Sequence, residues 1–196
     1  REGTTEKNLF DLSPLITPAN SHRCFFCSDD RSPVDLVRRG HIDDILRRAV
    51  KAGIPPVTAL QMATSNAPYY FRLPRRKGAV AVGYVADLVV FENLRSFRAR
   101  MVFKNGKLVA RDGEMVVPIR KAKCRISESM RIKNIGPSCL ELKTSNRKAR
   151  VIRIVPGQIV TKAEEVAVRP VRGLVFADVS RDVLKLAVFE RHHASG

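Results

Sequence analysis

The 196 residues carry 36 Lys and Arg against 19 Asp and Glu, a formal net charge of +17. At 44% hydrophobic the chain is too apolar for wholesale disorder, and no run approaches the ~20 apolar residues of a membrane-spanning helix. The charge would suit nucleic acid, but the basic residues are spread from Arg38 to Arg191, and three Tyr with no Trp are thin for base stacking.

The chain opens on Arg1-Glu2-Gly3, without Met, and reads as an internal piece of a longer protein with no signal peptide. Arg1 to Gly3 looks like the end of an element. Thr4 or Thr5 is placed to cap a helix with Glu6 in its first turn, and Leu9, Leu12 and Ile16 follow at helical spacing, with Pro14 kinking or shortening it. Thr17 to Ser21 is loop. Arg23 to Ser28 reads as a short buried strand, with Asp29 and Asp30 at its end.

Ser32, Pro33 and Asp35 signal the next helix start. Ile42, Ile45, Leu46, Ala49 and Val50 form one apolar stripe, stopped by Gly53. Gly40-His41 breaks this stretch into two helices. Pro55-Pro56 opens another helix, and Asn66 caps a last turn ending at Tyr70-Phe71.

After Leu73 the pattern turns to strands. Gly78 and Gly83 flank a turn-rich connection, and Ala86 to Phe91 has strand length. Arg98 to Lys104 alternates, Asn105-Gly106 is a strong hairpin signal, and Leu108-Val109 begins the return. Met115 to Val117 extends this small β module. Residues 121–150 read as a linker. Val151–Val155, Val166–Val168, Leu174–Phe176 and Leu184–Val188 read as further strands.

Carboxylates at the carboxyl end of a strand, just before a helix, sit where α/β enzymes keep their chemistry. Asp29 and Asp30 could bind a metal or move a proton. They also read as a loop acid and a helix cap. His22, His41, His192 and His193 form no HxH or HExxH. His41 reads first as a solvent-facing or capping residue. Cys24-x-x-Cys27 has no second CxxC to complete a zinc site, so both read as core thiols in a reducing cytoplasm.

Phe26-Cys27-Ser28-Asp29-Asp30-Arg31, Gly40-His41-Ile42-Asp43 and Met62-Ala63-Thr64-Ser65-Asn66-Ala67 resemble the C-terminal barrel segment of the adenine deaminase family, within the amidohydrolase superfamily. Gly78 to Gly83 with Ala86-Asp87-Leu88-Val89-Val90 resembles that superfamily's return into its small β domain. Val155-Pro156-Gly157-Gln158-Ile159 and the stretch Lys185 to His192 resemble the extra C-terminal domain of adenine deaminases, which most amidohydrolases lack. The chain departs from the family at Ser28, Pro68 and Val82, where Thr, Ala and Pro are usual. The family's HxH pair and its other metal ligands lie in a barrel region that these residues do not include.

The resemblance implies an α/β chain in three parts. Residues 1–76 would be the last strands and helices of a (β/α)8 barrel, 77–120 a small β domain, and 121–196 a linker with the start of a β-rich C-terminal domain. It implies hydrolytic deamination of adenine to hypoxanthine and ammonia by a metal-activated hydroxide, in the cytoplasm. Asp29 would be catalytic and a metal ligand; Asp30, Arg1 and Glu2 would bind substrate. The metal would be divalent, Mn or Fe before Zn. The partner would be adenine rather than nucleic acid or membrane, and a homo-oligomer is compatible with this. The alternatives are a basic nucleic-acid-binding protein, an amidohydrolase acting on another cyclic amide or amidine, and a non-catalytic remnant of the same fold; without its metal partners the piece is expected to be inactive alone.

Overall fold

The computed structural model describes residues 1–73, 76–118, 130–133 and 135–195. The chain is mixed α/β and divides into two compact units, the first formed by residues 1–120 with 156–159 and the second by 121–155 with 160–196. Among the described residues no helix is long and apolar enough to cross a membrane.

The first unit begins with helices. The α1 helix is only Leu9–Leu12, continued by a 3-10 turn at Ser13–Leu15 that contains Pro14. Neither Thr4 nor Thr5 caps it; the N-cap is Asn8. The Thr4 hydroxyl is spent elsewhere: it donates to Asp35 and accepts from the Ser32 N–H, each at 2.7 Å. The α2 helix, Pro33–Arg39, starts as expected, with the Ser32 hydroxyl accepting from the Asp35 N–H. Gly40, at φ 103, ends it, and α3, Ile42–Lys51, follows at once. The α4 helix runs Pro56–Ala63 and α5 Asn66–Tyr70. Asn66 does not cap α5; its side-chain amide donates to the carbonyls of Ser21 and Cys24 at 2.9 and 2.8 Å.

The apolar stripe of α3 works as its spacing dictates. Ile45, Leu46 and Ala49 are buried against Leu9, Ile54, Ala59 and Met62, with Ile42 and Val50 at the margin. Phe97 completes this core at 0% exposure, its ring edge-on to Phe91 with centroids 5.4 Å apart.

The expected strand over Arg23–Ser28 is not in a ladder. Residues 24–29 are irregular and extended, held by single bonds from the Glu2 N–H to the Cys27 carbonyl (3.0 Å) and from the Phe26 N–H to the Met62 carbonyl (3.2 Å). A strand is defined by a partner, and among the described residues no neighbour extends those two bonds into a ladder. Cys24 is half-buried, but Cys27 is exposed rather than core.

The small sheet is antiparallel in the order β1 (Leu88–Phe91), β2 (Ala99–Lys104), β3 (Lys107–Arg111) and β4 (Glu114–Met115). Asn105 and Gly106 turn β2 into β3 with both φ values positive, as the Asn-Gly signal requires. Asp112-Gly113 does the same between β3 and β4.

In the second unit, β5 (Leu142–Lys143) pairs with β8 (Leu174–Val175), and β6 (Lys148–Ile154) with β7 (Thr161–Ala167). Leu184–Val188 is not a strand, although it alternates: Leu184, Leu186 and Val188 are exposed, and among the described residues no ladder pairs with them. The linker expected at 121–150 lies partly outside the described residues, as does Cys124.

Candidate active site

Asp29 ends the extended segment in a left-handed backbone conformation, φ 49. A non-glycine residue adopts this at a cost of about 1–2 kcal/mol, less for Asp than for bulkier residues, and keeps it where its surroundings over-determine it. Five contacts do so here.

The first is on Asp29 itself. Its Oδ2 accepts from Arg1 Nη1 at 2.9 Å. The Nη2 of the same guanidinium pairs with Glu6, so Arg1 bridges the two carboxylates. Glu6 and then Asp29 hold the Arg1 guanidinium protonated beyond its ordinary value. Asp29 remains open to solvent, with 39% of its side chain exposed.

The second contact anchors Arg1 through the next residue. Glu2 is 1% exposed. Its Oε1 accepts from the Leu9 N–H at 3.2 Å, and its Oε2 lies 2.8 Å from Arg48 Nη1. That second approach is an ion pair without hydrogen-bond alignment, which leaves Oε2 with no aligned donor. Glu2 therefore faces the interior, and Arg1, one residue away, faces Asp29.

Asp30 turns the other way. Its Oδ2 accepts from the Thr5 N–H at 3.0 Å, and the carboxylate lies where a side chain on Gly3 would be. Hydrogen bonding from Thr5, its hydroxyl and then its N–H, holds the Asp30 carboxyl below its ordinary range. Asp35 is lowered in the same way by the Thr4 hydroxyl. Ser32, not Asp30, caps α2.

The last two contacts close the loop. His41 Nε2 lies 2.8 Å from Ser28 Oγ. Arg31, with 3% of its side chain exposed, donates from Nη1 to the carbonyls of Gly40 (2.8 Å) and His41 (3.0 Å), and from Nη2 to Asp44 (2.7 Å). His41 sits at the N-cap position of α3 without capping it through its side chain. The sequence offered only the Gly40-His41 break as a hint of this bond, because the two partners are 13 residues apart. His192 and His193 lie in the second unit, where their N–H groups donate to Glu190.

Asp29 and Arg1 are thus brought together, with Asp30 and Glu2 directed away from them into supporting contacts. Among the described residues no group of three or more His, Cys, Asp or Glu is placed to hold a metal ion. A metal centre of the protein type takes at least three such donors, and a carboxylate such as that of Asp29 is chemically able to supply one. A cavity of about 590 Å³ in the first unit is lined by His22, Asn66, Tyr69, Arg72, Lys77 and Tyr84, and Asp29 is not part of its wall.

Asp29 thus ends an extended segment, with α2 starting just after it and a small antiparallel sheet following in the chain. Residues 2–109 match the amidohydrolase family, and the chain belongs to that family. Within it the similarity is narrower. Over 198 residues the chain is 46% identical to adenine deaminase 2 of Carboxydothermus hydrogenoformans. It is 44% identical over 202 residues to the adenine deaminase of Halalkalibacterium halodurans, and 41% over 197 to that of Dehalococcoides mccartyi. Each match covers 100% of this chain and 34% of the relative, so the chain spans about a third of the length of these proteins.

Proposed function

We propose that this chain is the C-terminal part of an adenine deaminase, which hydrolyses adenine to hypoxanthine and ammonia. The observation that carries the reading is the match of the whole chain, not only residues 2–109, to adenine deaminases. Residues 1–76 would then be the end of the barrel, 77–120 the small β domain and 121–196 the beginning of the extra domain. The enzyme would be cytoplasmic, with homo-oligomerisation compatible with this reading.

Asp29 is the residue of this chain that touches the reaction. A divalent metal, Mn or Fe before Zn, supplies Lewis-acid activation of water when bound. The Asp29 carboxylate would be one of its ligands and the base that takes the water proton. The same carboxyl would pass that proton to ring N1, then take the proton of the new C6 hydroxyl and hand it to the amine, which leaves as ammonia, so it ends the cycle ionised. Arg1, 2.9 Å from Asp29 Oδ2, orients the carboxylate and presents a cation beside the substrate. Glu2 and Asp30 serve the site by fixing Arg1 and the loop.

The test is Asp29→Asn in the full-length polypeptide that carries this chain. Ammonia release from adenine should fall by at least about 10²–10⁴-fold, the contribution of a positioned proton-transfer group, with an unchanged circular dichroism spectrum. Turnover within a few-fold of the parent would overturn the assignment.

A further inference from the structure

The tetrapeptide Ser28-Asp29-Asp30-Arg31 is pinned at both ends on one residue. At its start the Ser28 hydroxyl meets the His41 ring at 2.8 Å. At its end the buried Arg31 guanidinium donates to the His41 carbonyl at 3.0 Å. His41 is itself fixed, because its N–H donates to Asp43 Oδ1 at 2.7 Å and Gly40, at φ 103, makes the sharp corner before it. A side chain at Gly40 would stand 2.5 Å from Asp43 Oδ2. Arg31 is locked by Asp44 and by the Gly40 carbonyl as well. The two residues between these ends are Asp30, tied to Thr5, and Asp29, held in a left-handed conformation.

We propose that His41 is a positioning residue for the deamination reaction: through Ser28 it fixes the loop that sets the Asp29 carboxylate. This rests on the reading of Asp29 above. Among the described residues no hydrogen bond joins His41 to Asp29; its ring bonds Ser28 and its N–H bonds Asp43. Its ring holds the residue before Asp29 while its carbonyl holds the residue that closes the loop, so the Cα–Cβ direction of Asp29 is determined from both sides. A reacting carboxylate displaced by a fraction of an ångström loses rate without losing substrate affinity.

The experiment uses the full-length metal-loaded enzyme and four variants: His41→Ala, Ser28→Ala, the double variant, and Ser28→Thr, which keeps the hydroxyl. Removing a group that orients a metal-ligating side chain costs about 10–100-fold. His41→Ala and Ser28→Ala should each lower kcat by that factor, with the KM for adenine within about threefold. The double variant should be no slower than the slower single one, since both remove one interaction. Ser28→Thr should recover most of the loss. As a readout independent of turnover, the alanine variants should release metal faster to a chelator. An unchanged kcat and metal release in Ser28→Ala would overturn the proposal. So would a double variant in which the two losses multiply. Ser28→Ala leaves the ring and carbonyl of His41 in place, so it decides the matter even where His41→Ala does not fold. If instead Asp29→Asn retains turnover, the reading of the site itself fails; if Asp29→Asn is dead while Ser28→Ala and His41→Ala are normal, the role of His41 alone is lost.

Discussion

Glu2, with 1% of its side chain exposed, is held by the Arg48 guanidinium from α3 at 2.8 Å. This pair fastens the first residues of the chain to the helix that carries the core stripe. Leaving one partner of a buried pair alone costs about 3–5 kcal/mol. Arg48 is partly solvated, with 23% of its side chain exposed, so Arg48→Met should cost less, about 2–3 kcal/mol. Adding Glu2→Gln should restore part of that stability by removing the stranded charge. Urea denaturation of the parent and these two variants checks this, and an Arg48→Met protein as stable as the parent would refute it.

Gly3 and Asp30 share one volume. A methyl group on Gly3 would overlap the Asp30 carboxylate, so Gly3→Ala should destabilise by about 1–3 kcal/mol, as overpacking does. The cost should shrink when Asp30→Ala is already present, because the overlapping oxygen is gone. A double-mutant cycle in denaturant gives the coupling directly. Purely additive effects would show that the overlap is relieved by the backbone instead.

Asp87 gives the acid limb of stability a named contributor. The Lys104 ammonium at 2.6 Å, then the Asn105 N–H at 2.9 Å, hold its carboxyl down to about 2. A carboxyl whose pKa is lowered on folding stabilises the fold above the unfolded value, near 3.8, and that contribution disappears as pH falls through the folded value, near 2. Asp87→Asn should therefore flatten the decline in melting temperature between those two pH values. An equal decline in both proteins would remove Asp87 from the account.

Asn66→Ala should loosen the extended segment from α5. The variant leaves the Ser21 and Cys24 carbonyls without their donor, at about 1 kcal/mol per hydrogen bond. Amide hydrogen exchange should quicken first at Phe26, whose N–H donates to the Met62 carbonyl nearby. Unchanged protection at Phe26 would separate the two attachments.

What the sequence made legible was local. Ser32-Pro33 starts α2 where a cap and a proline say so, and the apolar stripe of α3 buries the residues its spacing picks out. Asn105-Gly106 makes its hairpin. The misreadings share one cause, the distance along the chain between partners. Thr4 looks like a cap because caps precede helices, yet its hydroxyl serves Ser32 and Asp35, some 30 residues on. The apolar run before Asp29 reads as a strand, but pairing depends on neighbours that composition does not encode. Leu184 to Val188 alternates without a ladder among the described residues for the same reason. In the candidate site, Asp29 was visible as an acid after an apolar run. That Arg1 meets it, that Glu2 and Asp30 turn away, and that His41 meets Ser28 are all long-range bonds.

The β2–β3 turn also bears on how this chain ages. Asn-Gly is the dipeptide most prone to spontaneous succinimide formation, in which the glycine nitrogen attacks the asparagine side-chain amide. Here the Gly106 N–H donates to the Ala86 carbonyl at 2.8 Å, and the Asn105 N–H to Asp87 at 2.9 Å. The nucleophilic nitrogen is engaged and the turn is braced from outside. The bonds that shape the hairpin thus also slow the chemical decay of its most fragile dipeptide.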